Sequence, residues 1–296
     1  MTTVSQRERP GFVWAAPAAV FFALFGIVPI AVVVYLSFTK WNGLGTPQWT
    51  GADNWSALLK DHDFPPAVRT TFFLTVGSWL VQTPLALLIG VWSAGQQRFR
   101  AVLSTVFFLP LLLSTAAIAL VFVSLLDPNF GLAALWGKYL ATPDGNFLGD
   151  STRALPTIVF VVAWQFVPFH TLLYQAATRQ IPAMLYEAAE LDGAGRVRQF
   201  FSITLPQLRN TVVASSVMML VGSVTVFESV LLLTNGGPGG ATKVLPLHMY
   251  QEGFIAFDMG YASVLAVLLV IVGTVLSVVV VRSTGYHRMT SDREGL

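Results

Sequence analysis

Apolar residues in this chain come in long blocks separated by short polar segments. The blocks lack the polar face that a helix packed into a water-soluble core would carry. Charge-free stretches run from Phe12 to Phe38, Thr70 to Gln97, Ala101 to Leu126, Ala154 to Thr178 and Met259 to Val281, and a sixth, from Asn210 to Thr242, is interrupted only by Glu228. A helix needs about 20 apolar residues to cross the hydrocarbon core of a bilayer. Every stretch meets that length, and the longer ones have room to tilt. The pattern predicts an all-α, polytopic membrane protein: a single transmembrane domain over residues 1–296, with helices at about 12–38, 70–95, 101–126, 154–177, 211–234 and 259–281.

Orientation follows from the basic residues, because Lys and Arg beside a span are retained in the cytoplasm. With the N-terminus inside, the inner segments hold Arg7, Arg9, Arg98, Arg100, Arg179, Arg196, Arg198, Arg209, Arg282, Arg288 and Arg293. The outer loops hold Lys40, Lys60, Arg69, Lys138, Arg153 and Lys243, outnumbered by acids such as Asp53, Asp61, Asp63 and Asp150. Both termini, and the polar segment 178–210, are thus expected on the cytoplasmic side.

Composition agrees. Charged residues make up 11% of the chain and hydrophobic residues 54%, whereas soluble domains carry about 25% charge. The pI of about 9.0 raises a nucleic-acid reading, but the positive charge is spread over membrane flanks and forms no patch. The first apolar run is too long for a signal peptide and no small-residue cleavage site closes it, so it is expected to remain as a helix. The chain has no cysteine, which excludes disulfides and thiolate chemistry.

Three polar segments stand out. Trp41, Trp49 and Trp55 in the first outer loop fit an interfacial aromatic belt. Residues 131–141, GLAALWGKYLA, suit a short interfacial helix before the turn at Pro143 to Gly145. Asn235 to Gly240, NGGPGG, breaks the helix after the fifth stretch and shapes an outer loop. In the segment 178–210, Pro182 suits the first turn of a helix over 183–191, and Asp192-Gly193 stops it with Gly193 in a left-handed conformation. A second short helix is expected from Arg196 to Phe201, with Leu205-Pro206 leading into the fifth span. Ala188, Ala189 and Gly193 leave room for another protein's surface, with Glu187 and Asp192 as charges at its edge; the alternative is a connector packed on its own bundle.

Glu187-Ala188-Ala189, Gly193, Ile203 and Leu205-Pro206 stand at the spacing of a signature carried by permease subunits of bacterial ATP-binding-cassette (ABC) importers. The run 180–206, QIPAMLYEAAELDGAGRVRQFFSITLP, is similar to carbohydrate permeases of the maltose-transporter-like group, as are Trp164, Phe227-Glu228, Leu233-Thr234, Gly236-Gly237-Pro238, Tyr250, Phe254 and Gly260 to Ser263. Many members of that group carry Asp where this chain has Glu228. The resemblance implies a type I ABC importer permease fold in the bacterial cytoplasmic membrane. It implies a coupling helix that docks on an ATPase through Glu187, Ala188, Ala189, Asp192, Gly193, Ile203, Leu205 and Pro206. It further implies a heterodimer with a second permease, two ATPase subunits that use ATP and Mg, and an extracytoplasmic sugar-binding protein met by Asn235, Gly236, Gly237 and Pro238. No cofactor and no nucleic-acid partner are expected for this chain, and the lipid bilayer is its medium.

The residues exclude enzyme chemistry of their own kind. No Gly-x-x-x-x-Gly-Lys-Ser/Thr loop is present, so ATP hydrolysis belongs to other chains. His62, His170, His248 and His287 show no metal spacing. Polar groups inside spans are costly and therefore mark a pathway. Gln165, Phe166, Phe169 and His170 of the fourth span, with Met219, Ser223 and Phe227 of the fifth, can wall a cavity for a hydroxyl-rich, apolar-faced ring. Gln165 and His170 can instead hydrogen-bond across helices. Glu228 is expected roughly 25 Å along the fifth span, near its outer end, as a pathway acid or a snorkelling or subunit-pairing acid. The absence of Lys or Arg within the spans favours a neutral di- or oligosaccharide over an anion. Another neutral solute, glycerol phosphate, or a proton-coupled secondary transporter acting through Glu228 are the alternatives.

Overall fold

The computed structural model describes residues 12–95, 105–136, 139 and 145–283. Arg7, Arg9, Arg98, Arg100, Lys138, Pro143, Asp144, Arg288 and Arg293, on which parts of the sequence reading rest, lie outside the described residues. Among the described residues the regular structure is helical apart from one two-residue strand pair. The described residues fall into two compact units, 12–61 with 249–268, and 62–248 with 269–283.

In the first unit, helices Ala16–Phe22 and Val28–Leu36 join through a π-turn at Ala23–Ile27 into one apolar rod with no buried residue. After it, Thr39–Lys40 pairs antiparallel with Gln48–Trp49. The Asn54 amide donates to the carbonyls of Ser37 (3.0 Å) and Thr39 (2.8 Å), tying the short helix Asp53–Leu58 to this turn. The expected tryptophans pack within the loop: the Trp49 ring lies 5.6 Å from Phe38, Trp55 lies 6.1 Å from Phe38, and the Trp41 Nε1–H donates to Gly45. The loop also receives the start of helix Met259–Ser283. The Met259 N–H donates to the Trp41 carbonyl at 2.9 Å, and the Tyr261 hydroxyl donates to the Asp61 carboxylate.

The second unit is built on helix Phe64–Ser93 lying along helix Ala154–Thr178, with helix Arg209–Val224 against both. Phe64–Ser93 starts earlier than the apolar count indicated, because Pro65 and Pro66 are tolerated in a first turn whose N–H groups are unpaired anyway. Arg69 therefore lies inside the helix, its guanidinium 5.5 Å over the Phe73 ring. Small residues let the two long helices meet. Ala86 and Gly90 are buried four residues apart, and a Cβ on Gly90 would lie 2.6 Å from the Tyr174 Cβ. At the same end, Gln175 Nε2 donates to the Ser93 carbonyl (2.9 Å) and Arg179 Nε to the Ala94 carbonyl (3.3 Å), satisfying carbonyls that a helix end leaves open. The start of Ala154–Thr178 is set by Asp150, which accepts from the Thr152 hydroxyl and the Thr152 and Arg153 amides. These donors hold its carboxyl below the usual carboxylate range.

Four described helices are long and apolar enough to cross a membrane: Ala16–Leu36, Phe64–Ser93, Ala154–Thr178 and Met259–Arg282. The third and fifth expected spans are not continuous helices. The third appears as Leu109–Leu112 and Thr115–Leu125, separated by extended backbone at Leu113 and Ser114. The fifth is Arg209–Val224 and Glu228–Leu233, interrupted at Thr225 to Phe227. Val224, Thr225 and Val226 are β-branched and give a helix little support, and the Thr225 hydroxyl bonds back to Gly222 at 3.0 Å. The second halves, Thr115–Leu125 and Glu228–Leu233, pack on each other. Of the anticipated interfacial segment, Leu132–Trp136 is helical.

Candidate functional site: an exposed bend and a cavity between broken helices

Helix Ala183–Leu191 begins just after Pro182, whose extended ψ of 131° makes it the cap and not part of the first turn. Its C-terminus closes with the Gly193 N–H bonded to the Glu190 carbonyl (3.0 Å) and the Ala194 N–H to the Ala189 carbonyl (2.8 Å). This pair of bonds requires a left-handed residue at the second position, and Gly193 has φ +75°. The second arm departs from expectation. Arg196–Gln199 does not stop at Phe201 but continues through a π-turn, Phe200–Thr204, and Leu205–Gln207 into Arg209–Val224. Pro206 has no N–H for the regular bond to Ser202, and the Leu205 N–H reaches back to Phe200 instead. Two side-chain bonds fix the arms: Tyr186 Oη with Thr204 Oγ1 at 2.9 Å, and Gln199 Nε2 to the Ala194 carbonyl at 2.9 Å.

Ala183–Leu191 has no buried residue, and a Cβ on Gly193 or Gly195 would meet nothing within 4 Å. Glu187, Ala188, Asp192, Gly193 and Pro206 are exposed; Ala189, Ile203 and Leu205 are half-buried. Apolar side chains stand out around the bend, Leu191 at 90% exposure and Val197 at 73%.

A cavity of about 590 Å³ opens where the two broken helices meet the long pair. Phe166, Phe169, His170, Met219, Ser223, Phe227 and Glu228 all line it. His170 Nδ1 also sits 2.9 Å from Ser215 Oγ, so its ring serves both a helix-to-helix bond and the wall. Gln165 is a correction: it is buried, does not line the cavity, and donates from Nε2 to Thr115 Oγ1 at 3.1 Å. Glu228, expected near the outer end of the fifth span, follows the interruption at Thr225 to Phe227 as the first residue of a separate half-helix and is exposed at the cavity. Gln82 and Thr115 line the cavity from the second and third spans. Residue-level reading missed them because their facing depends on how helices pack and where one breaks.

Residues 86–284 match the model of the family described as "binding-protein-dependent transport system inner membrane component". The chain belongs to this family. It is 35% identical over 280 residues to the "Probable ABC transporter permease protein YurN" of Bacillus subtilis (strain 168), covering 93% of this chain and 95% of that one. It is 30% identical over 291 residues to the "Diacetylchitobiose uptake system permease protein NgcF" of Streptomyces coelicolor, covering 93% and 81%. Among solved structures it is similar to a chain of the bacterial alginate ABC transporter in complex with its alginate pentasaccharide-bound periplasmic protein, with TM-score 0.82, 22% identity and 95% coverage of both chains. The fold is that of a type I ABC importer permease, and the protein is a multi-pass inner membrane component.

In this permease the glycine-rich loop is a defined structure. Asn235, Gly236, Gly239 and Gly240 all have positive φ. The Thr242 hydroxyl, 2.7 Å from that of Thr234, donates to the Gly237 carbonyl at 2.7 Å and closes the loop. Lys243 Nζ, 2.7 Å from Asp63 Oδ2, ties it to the residue before helix Phe64–Ser93. An added Cβ at Gly239 or Gly240 meets nothing within 4 Å, so the tip is open.

Proposed function

We propose that this permease forms half of a two-fold pathway that imports a neutral di- or oligosaccharide, driven by ATP hydrolysis in separate chains. The observation that carries the reading is the open bend at Gly193: a helix with no buried residue, at the signature spacing, with its apolar side chains uncovered. That supports a coupling surface, 178–210, docking an ATPase through Glu187, Ala188, Ala189, Asp192, Gly193, Ile203, Leu205 and Pro206. Counting the two broken helices as crossings gives six spans in one permease domain, with both termini cytoplasmic. A single coupling bend per chain suits a heterodimer with a second permease, over two ATPase subunits that hold ATP and Mg. The cavity supports a sugar. Phe166, Phe169 and Phe227 offer apolar faces, while His170, Ser223 and Glu228 offer hydrogen bonds. Among its described lining residues there is no Lys or Arg to favour an anion. The relative NgcF, a diacetylchitobiose uptake permease by name, handles a solute of the same class.

The test is uptake by the reconstituted complex of labelled diacetylchitobiose, arabinotriose and maltotriose, with and without a hydrolysis-dead ATPase. Uptake is expected only with the active ATPase. Transport that persists on a proton gradient alone would replace this reading with a secondary transporter acting through Glu228.

The open loop with Asn235, Gly236, Gly237 and Pro238 is proposed to meet the extracytoplasmic binding protein. Lys243→Met removes its ion pair to Asp63. Exposed pairs contribute roughly 0.5–1 kcal/mol, so stimulation of ATP hydrolysis by the loaded binding protein should fall about twofold to fivefold. Unchanged stimulation at matched membrane abundance would make the loop a cap without a docking role.

A further inference from the structure

We infer that Thr115 donates a hydrogen bond to the transported solute, and that Gln165 is the positioning residue that turns its hydroxyl toward the cavity. The inference rests on the transport reading above and adds to it a span and a division of labour. Thr115 is the first residue of helix Thr115–Leu125 and lines the cavity beside Phe166 and Leu111. The chain just before it is extended, with ψ 146° at Leu113 and 149° at Ser114. Non-helical backbone at membrane depth persists where it is enclosed by protein or lines a water-filled space. Here the residues on either side of the break, Leu111 and Thr115, line the cavity.

The hydroxyl of Thr115 has an unusual set of neighbours. Threonines within helices commonly donate to the carbonyl four residues back, and Thr71, Thr157, Thr178 and Thr234 of this chain do so at 2.7–3.1 Å. For Thr115 that carbonyl belongs to Leu111, on the far side of the break. The capping duty at this helix start is taken by Ser114, whose Oγ accepts from the Ala117 N–H at 3.2 Å. Behind Thr115, Gln165 Nε2 donates to its oxygen at 3.1 Å. With Oγ1 accepting from the protein side, its O–H remains available to donate to a solute in the cavity. Gln165 is 5% exposed and its Oε1 has no protein partner; its amide is held by burial and by Thr115, not by solute. The ligand chemistry that suits this donor is an uncharged oxygen acceptor, such as a sugar hydroxyl, ring oxygen or acetamido carbonyl.

The chain contains no cysteine, so single cysteines report on geometry without background from this subunit. In the assembled complex, Thr115→Cys should react with a hydrophilic methanethiosulfonate reagent at least roughly tenfold faster than Gln165→Cys, since modification requires an accessible thiolate. Labelling is read on this chain by mass. In the uptake assay, Thr115→Val should lower sugar transported per ATP hydrolysed about tenfold, as expected when one hydrogen bond to solute is lost. Thr115→Ser should restore the ratio. Gln165→Leu should lower it by about threefold, and adding it to Thr115→Val should cost nothing more, because a positioning residue has no effect once its target is gone. Equal labelling rates, a normal ratio in Thr115→Val, or additive losses in the double variant would each overturn the inference. A wild-type complex that moves none of the three sugars defeats the proposed function instead, and the labelling contrast then decides the geometry alone.

Discussion

Replacing Gly90 by valine is expected to prevent the permease from assembling. An added Cβ would lie 2.6 Å from the Tyr174 Cβ, 3.0 Å from the Thr171 carbonyl oxygen and 3.2 Å from the Gln175 amide nitrogen. Two of those three atoms are backbone and cannot rotate away, so the helices Phe64–Ser93 and Ala154–Thr178 must separate. In a bilayer, helices associate by close packing and not by escape from water, so separation is not offset by a hydrophobic gain. It also breaks the bonds from Gln175 and Arg179 to the Ser93 and Ala94 carbonyls. Overpacking of this kind costs roughly 3 kcal/mol or more. The check is the thermal midpoint of the purified complex and its yield. Gly90→Ala should fall between wild type and Gly90→Val. Gly273→Ala, where a Cβ meets nothing within 4 Å, should be neutral or stabilising by about 0.5–1 kcal/mol through lost backbone freedom. Equal yields for Gly90→Val and Gly273→Ala would mean that the two long helices are not in this contact.

A second large effect is expected at the bend, and it should leave the membrane part intact. Gly193→Val places a β-branched residue at φ +75°, a conformation that costs such a residue about 1–3 kcal/mol. It opens the pair of bonds from Gly193 and Ala194 back to Glu190 and Ala189 and fills the space a partner needs. Glu187→Lys reverses an exposed charge; if an ATPase cation faces it, the like-charge contact costs several kcal/mol. Both variants should insert and fold, because Gly193 and Glu187 touch no buried core. Each should lose co-purification of the ATPase, or leave hydrolysis uncoupled from uptake, by a factor on the order of ten or more. Gly193→Asn should retain most activity, since asparagine tolerates the left-handed region. Normal assembly and transport in both Gly193→Val and Glu187→Lys would show that this bend is a connector only.

Residue type and order were enough for the class of protein, the side chains at the bend and the left-handed glycine. Long charge-free blocks have one low-cost environment, the bilayer, and an Asp-Gly after a run of helix formers has one low-cost conformation; neither depends on distant contacts. The positions of Phe166, Phe169 and His170 on one cavity wall were likewise legible, since they recur on one face of a single helix. What lay beyond the sequence was every feature set by a neighbour. The proline-led start that brings Arg69 into a helix, and the run from Arg196 into Arg209–Val224, depend on bonds made or forgone by Pro65, Pro66 and Pro206. The breaks at Leu113 and at Thr225 to Phe227 have no glycine or proline at their centres, and apolar counts read straight through them. They persist because the half-helices Thr115–Leu125 and Glu228–Leu233 pack on each other beside a cavity. Tertiary packing alone decided that Glu228 opens a half-helix at that cavity, that Gln165 stands behind Thr115, and that Gly90 is the point where two helices touch. The hydrophobic pattern says how much of a helix the membrane will accept; only contact between helices determines where it stops and which face it turns inward.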